Sequence, residues 1–153
     1  MNSMRRKDRE ITTREAVEIL DAGEYGVLST VGEDGQPYGV PLSYVHQKKR
    51  IYFHCAIEGQ KLENIRSSGK VSFCVIGNTK VLPDKFTTDY ESVVVFGVAT
   101  EVSGQERHQA LVWLLEKYCP DSIEAGKKYI EIKDQITTVI KIEINHISGK
   151  ARR

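Results

Sequence analysis

Apolar positions along this chain follow two rhythms, one of three to four residues and one of two, and the switches between them mark its elements. Thr12 and Glu15 have the spacing of a capping box, and Ala16, Val17, Ile19 and Leu20 share one face behind it. A helix is therefore predicted to about Ala22, closed by Gly23. Tyr25 to Val31 reads as a strand, Gly32-Glu33-Asp34-Gly35 as a hairpin turn, and residues 36–46 as the return strand. Pro41 has no N–H for a ladder, which puts that stretch at an edge, a bulge or a break in pairing. A basic turn, Lys48-Lys49-Arg50, leads into a third strand, Ile51 to His54.

The rhythm then becomes helical over residues 60–68, with Leu62 and Ile65 on one face and Gly69 as the stop. Val71 to Ile76 is a short strand, Gly77 to Thr88 reads as a long loop, and Tyr90 to Ala99 is the strongest strand pattern. Its near-continuous apolar character predicts burial on both faces. Ser103 opens a helix over residues 104–118, with Ala110, Leu111, Leu114, Leu115 and Tyr118 as its stripe and Pro120 ending it. Residues 123–134 read as a short helix and turn. Residues 137–147 alternate cleanly, with Ile140, Ile142 and Ile144 on one face, and a polar tail follows from Ser148. The sum is a mainly β fold with flanking helices: a six-stranded antiparallel barrel.

Composition changes this picture little. The 153 residues make one domain, with residues 1–11 a polar, mobile arm and residues 12–150 the folded body. A net charge of +1 provides no field for nucleic acid or an anionic membrane, and no apolar run reaches the length of a span. Cys55, Cys74 and Cys119 lack metal-type spacing and suit free thiols in a reducing cytoplasm. The histidines His46, His54, His108 and His146 show no ligand pairing, so no metal site is expected; His46 and His108 read as surface residues. His54 and Cys55 are consecutive strand residues and point to opposite faces, which leaves Cys55, like Cys74, a buried inert thiol. No nucleophile–base pair or carboxylate dyad appears. Hard chemistry in this chain would fall to a cofactor.

One stretch carries candidate chemistry. A strand ending in His54 bends at Gly59 and opens a helix with Lys61 in its first turn. Unpaired N–H groups at a helix start and a glycine that permits close approach suit an anion. Lys61 is unfavourably placed against the helix dipole, a conflict an external anion would relieve. The same spacing also fits an ordinary strand–turn–helix with a solvated lysine, and residues alone leave both readings open.

Three stretches together resemble a known family: Val40-Pro41-Leu42-Ser43-Tyr44; Tyr52-Phe53-His54 with Gly59-x-Lys61-Leu62; and Tyr90-x-Ser92-Val93-Val94-Val95-Phe96-Gly97. In this order they are similar to the pyridoxamine 5′-phosphate oxidase-like flavoproteins, most closely the nitroimidazole-resistance branch, whose usual ending Ile147-Ser148-Gly149-Lys150 resembles. The resemblance covers about residues 12 to 150. It implies a Greek-key split β-barrel homodimer with FMN at the subunit interface, and a cytoplasmic oxidoreductase acting on small electrophiles such as nitroimidazoles. The alternatives it leaves are a flavin carrier or sensor without turnover, and a related enzyme using a deazaflavin or a pyridoxine phosphate.

Carried onto this sequence, the resemblance implies that Gly59 and Lys61 hold the FMN phosphate and that Ser92 donates a hydroxyl to the flavin or its phosphate. Pro41, Leu42, Ser43 and Tyr44 would offer main-chain groups to the ring, with Phe53 and Ala56 also bordering the cofactor. His54 would face the flavin pocket as the proton donor. The strand of residues 92–99 would lie near the dimer contact. Related sequences often carry a basic residue where Gln60 stands. A cation about 4 Å from a phosphate contributes about 4 kcal/mol at an effective dielectric of about 20, before desolvation.

Overall fold

The computed structural model describes residues 2–153. Seven antiparallel strands, β1 (Gly26–Val31), β2 (Pro37–Leu42), β3 (Val45–Gln47), β4 (Arg50–Ala56), β5 (Lys70–Leu82), β6 (Thr87–Glu101) and β7 (Thr137–Arg152), form one sheet. Their order is β2-β1-β5-β6-β7-β4-β3. The two edges, β2 and β3, are joined only by Ser43 and Tyr44. From Leu42 to Val45 the chain can reach at most about 10 Å, whereas seven flat strands would span about 29 Å. The sheet must curl until its edges meet, which makes a barrel with an unpaired seam at Ser43–Tyr44. Pro41 sits on edge strand β2, where a missing N–H costs no ladder bond.

Four helices dress this barrel: α1 (Thr13–Ala22), α2 (Gln60–Ser67), α3 (Gly104–Tyr118) and α4 (Ile123–Lys133). Thr12 accepts from the Glu15 N–H as the capping spacing predicts, while Ser103 makes no side-chain cap to α3. The barrel interior is filled by Leu20, Leu28, Tyr44, Ile51, Phe53, Phe73, Val93, Val95 and Ile142, with α1 and α2 packed into it. A second cluster lies outside the barrel wall, where α3 covers Tyr52, Val45 and Val139 through Ala110, Leu111 and Leu114.

Four expectations need correction. The return strand of residues 36–46 is two strands on opposite edges, so the count is seven rather than six. Gly77–Thr88 is not a loop: β5 and β6 continue as a paired arm to a turn at Pro83–Lys85, with a register shift between Ile76 and Thr79. That arm is polar because it projects beyond the barrel and has no core face to cover. The tail from Ser148 is likewise strand, pairing along β6 as far as Tyr90–Arg152. Finally, β6 is buried on one face only in this chain: Val93, Val95 and Ala99 point inward, while Phe96 and Val98 stay 38% and 37% exposed.

The first residues lie against the barrel. Lys7–Arg9 form a 3-10 turn, Glu10 bridges to Lys150, and the Ile11 N–H donates to the Gly149 carbonyl.

Candidate functional site

Strand β4 is buried on both sides, and this places His54. Ile51 and Phe53 point into the barrel, with Cys55 packed against the same core; Tyr52 points outward under α3. His54 follows on the Tyr52 face, opposite Val139 in the ladder, but beyond the part that α3 seals. Its ring is therefore exposed at the edge of a cavity of about 380 Å³ between β4, α3 and α4. Ser43, at the barrel seam, borders the same cavity with Leu111, Leu114, Tyr118 and Tyr129. Packing around the imidazole, and secondarily the Lys61 ammonium, pushes the His54 pKa below its ordinary value. Cys55 faces the other way, and burial raises its thiol.

The bend after β4 has the geometry an anion needs. Gly59 has φ +144°, a conformation side-chain-bearing residues rarely adopt, and no atom lies within 4 Å of where a Cβ would stand. It precedes α2 without any side-chain cap, so the helix's first N–H groups are free to meet a ligand. Lys61 is half-buried on the first turn. A phosphate fits this donor set: open space at the glycine, uncapped N–H groups and one cation.

Helix α2 is held there by a residue without a recognised motif. Asn64 is buried, donates to the Thr30 hydroxyl of β1 at 3.0 Å, and accepts from the Gln60 side chain at 2.7 Å. Gln60 is thus engaged along the helix toward β1 rather than standing as a vacant place for a cation. The only trace of this network in the sequence is an amide pair four residues apart.

The seam is braced by α3. Tyr44 has lost its ladder partners, and its N–H donates to the Tyr118 hydroxyl at 3.0 Å while its carbonyl accepts from Lys117 at 2.8 Å. Tyr118 in turn donates to the Glu24 carbonyl at 2.5 Å. The Tyr44 ring is fully buried, edge-on to Phe73, and its hydroxyl donates to the Leu20 carbonyl. Burial raises the Tyr44 phenol and lowers the Lys117 ammonium to about 8. Close by, His46 is no surface residue: its side chain is 9% exposed and contacts Asp21 at 2.7 Å. His108 is exposed as expected.

The ten candidate residues therefore fall into five places. Ser43 and His54 line one cavity; Ala56, Gly59 and Lys61 form the bend beside it; Tyr44 and Phe53 are core side chains. Pro41 and Leu42 lie on edge strand β2, outside the lining of that cavity. Ser92 is elsewhere, on the outer face of β6 beside Ser148, His146 and Phe96 in a groove of about 730 Å³. His54 and Ser92 face β7 at Val139 and Lys150, which lie about 36 Å apart along the strand at ~3.3 Å per residue.

Comparison with known proteins agrees with this architecture. An uncharacterized protein of Rhizobium meliloti is 29% identical over 121 residues, covering 77% of this chain and 75% of its own length. A candidate 5-nitroimidazole antibiotic resistance protein from Bacteroides thetaiotaomicron has a similar crystal structure, with TM-score 0.76, 19% identity, and coverage of 93% of this chain and 86% of that one. A FAD-binding protein from Mesorhizobium loti is similar at TM-score 0.69 and 24% identity, covering 95% and 98% respectively. The family model described as pyridoxamine 5′-phosphate oxidase matches residues 12–151, which span the barrel, its seam and the Gly59 bend. The chain belongs to the pyridoxamine 5′-phosphate oxidase family.

Proposed function

We propose that this protein binds a flavin, specifically FMN, and acts as an oxidoreductase on small electrophiles such as nitroaromatic compounds. One observation carries the reading: an anion-ready bend, Gly59 with the uncapped start of α2 and Lys61, stands beside a cavity edged by His54 and Ser43. Membership of the family and the FAD-binding relative from Mesorhizobium loti support a flavin. A single lysine and one helix start suit a monophosphate end, which favours FMN over a dinucleotide.

A flavin held here, once reduced by an external donor such as a pyridine nucleotide, would supply a hydride. The chain's own residues hold the phosphate at Gly59 and Lys61, exclude water along the α3 side through Leu111 and Leu114, and offer a proton from His54. Burial and the Lys61 ammonium disfavour the charged imidazolium of His54, so proton donation grows on the acid side. A second reading, a flavin carrier without turnover, keeps the cofactor site and dispenses with proton donation.

The protein works as a homodimer in this proposal. Outward-facing Ile76, Phe96 and Val98 are apolar and exposed on adjoining strands. Ser92 shares that face and is distant from His54, so its hydroxyl would serve the flavin of the other subunit.

The visible spectrum of freshly purified protein, with mass spectrometry of the ligand released by heat, tests the cofactor. A yellow protein releasing FMN is expected; a colourless protein that ignores added FMN overturns the proposal. Reduction of a nitroimidazole with a pyridine nucleotide as donor separates enzyme from carrier.

A further inference from the structure

Among the described residues, the four most exposed large apolar side chains lie at two opposite ends of the sheet. Phe86 and Val81, at the tip of the β5–β6 arm, are 96% and 69% exposed. Ile132 and Tyr129 of α4 are 77% and 62% exposed, and Tyr129 borders the His54 cavity. Phe86 has φ +52° and ψ +42°, a left-handed conformation that glycine or asparagine adopts more readily. Neither the backbone of this turn nor its contact with water calls for a phenyl ring, so a use outside the single chain accounts for it. Helix α4 is the matching case: it buries none of its own residues.

We infer that in the homodimer the arm tip of one copy closes the His54 cavity of the other, with Phe86 seated against Ile132 and Tyr129 of α4. The inference rests on the homodimer proposed above and names what each copy gives the other's site. The lengths agree. Phe96 and His146 are paired at the middle of the outer β6–β7 face. A two-fold axis crossing the strands there sets the copies face to face with their strands reversed, and each Phe96 meets the other copy. Thr87 at the arm tip is nine residues from Phe96, and Thr137 at the cavity is nine residues from His146. Each span is about 30 Å at ~3.3 Å per residue, so the tip of one copy stands over the cavity of the other.

Charge agrees as well. Asp84 and Lys85 precede Phe86, while Glu131 and Lys133 flank Ile132. None of these four has an ion pair among the described residues. Asp134, next along, is already neutralised by Arg107 at the cavity border, whose guanidinium donates to its carboxylate at 2.5 Å. Asp84 against Lys133 and Lys85 against Glu131 thus fix the register of the tip on α4. Capped in this way the cavity is shut off from water, and each subunit's pocket is complete only in the dimer.

Cross-linking of Phe86→Cys with a short bismaleimide tests the contact, because Cys119 is exposed and lines the cavity while Cys55 and Cys74 are partly buried. A covalent dimer on a denaturing gel is expected, absent from the wild type and abolished by adding Cys119→Ser. Asp84→Lys in the same background should lower the yield at least threefold, and adding Lys133→Asp should restore it. A dimer in analytical ultracentrifugation that forms no link, or a link that survives loss of Cys119, overturns the inference and leaves the homodimer standing. A monomer overturns both. The link does not depend on cofactor, so a colourless dimer that cross-links through Cys119 would overturn the flavin reading and support this one.

Discussion

At the scale of single residues, His54 and Gly59 carry the sharpest expectations. The depressed His54 pKa sets the sign of a pH effect: if His54 donates the proton, turnover falls as pH rises through a value below the ordinary imidazole range near 6.5. A kcat profile between pH 5 and 8 should show this limb, and His54→Gln should flatten it, lowering the acid-side rate by roughly 10²-fold or more with flavin retained. An undiminished rate in the variant would remove His54 from the chemistry. At the bend, Lys61→Gln should weaken the phosphate by about 2 kcal/mol, or about 30-fold in flavin dissociation constant, as measured by fluorescence quenching. Gly59→Ala forces a side chain into φ +144° and should cost about 1–3 kcal/mol in stability, seen as a lowered Tm. The bend itself was visible in the sequence because glycine is the residue that adopts such a backbone conformation and a helical pattern begins directly after it. The state of His54 was not visible, since it depends on what the fold packs around the ring.

At the scale of elements, the site depends on how α2 and α3 are pinned. Asn64→Leu leaves the Thr30 hydroxyl of β1 without its partner and frees Gln60, so a loss of about 1–3 kcal/mol in urea unfolding is expected, with weaker flavin binding as α2 loosens. Conversely, Asn64→Leu with unchanged flavin affinity would show that the bend is held by β4 and Gly59 alone. Helix α3 has two tasks that its apolar stripe did not separate. Leu111 and Leu114 cover the outside of β4, whereas Lys117 and Tyr118 at its end satisfy the backbone of Tyr44 at the seam. Tyr118 looked like one more apolar position because helical spacing registers the ring and is silent about the hydroxyl. The β5–β6 arm was misread for a related reason. Alternation reveals a strand only where one face is buried, and Asn78, Thr79 and Lys80 lie where neither face is.

For the whole molecule, Ile76, Phe96 and Val98 are exposed apolar side chains on one face of β5 and β6, and in the proposed homodimer a second copy would cover them. Phe96→Glu combined with Val98→Lys should give a monomer by analytical ultracentrifugation and, in the proposed assembly, a loss of flavin as well. A dimer that persists with flavin bound would place the interface elsewhere. None of the helices among the described residues is long and apolar enough to cross a membrane.

The chain by itself determined the buried face of several elements, because burial of one face leaves a period that local inspection recovers: α1, α3, the alternating start of β7 and the inward half of β6 all follow from it. It also determined the Gly59–Lys61 bend, whose chemistry resides in neighbouring residues. Only the tertiary structure decided that β2 and β3 are the two edges of a curled sheet, that Tyr118 and Lys117 brace their seam, that Gln60 and Asn64 anchor α2, and that Arg107 is neutralised at the cavity. Those outcomes join residues up to 94 positions apart. Nothing in local pattern distinguishes a side chain that finds such a partner from one that meets water, and that difference settles the charge a ligand would encounter.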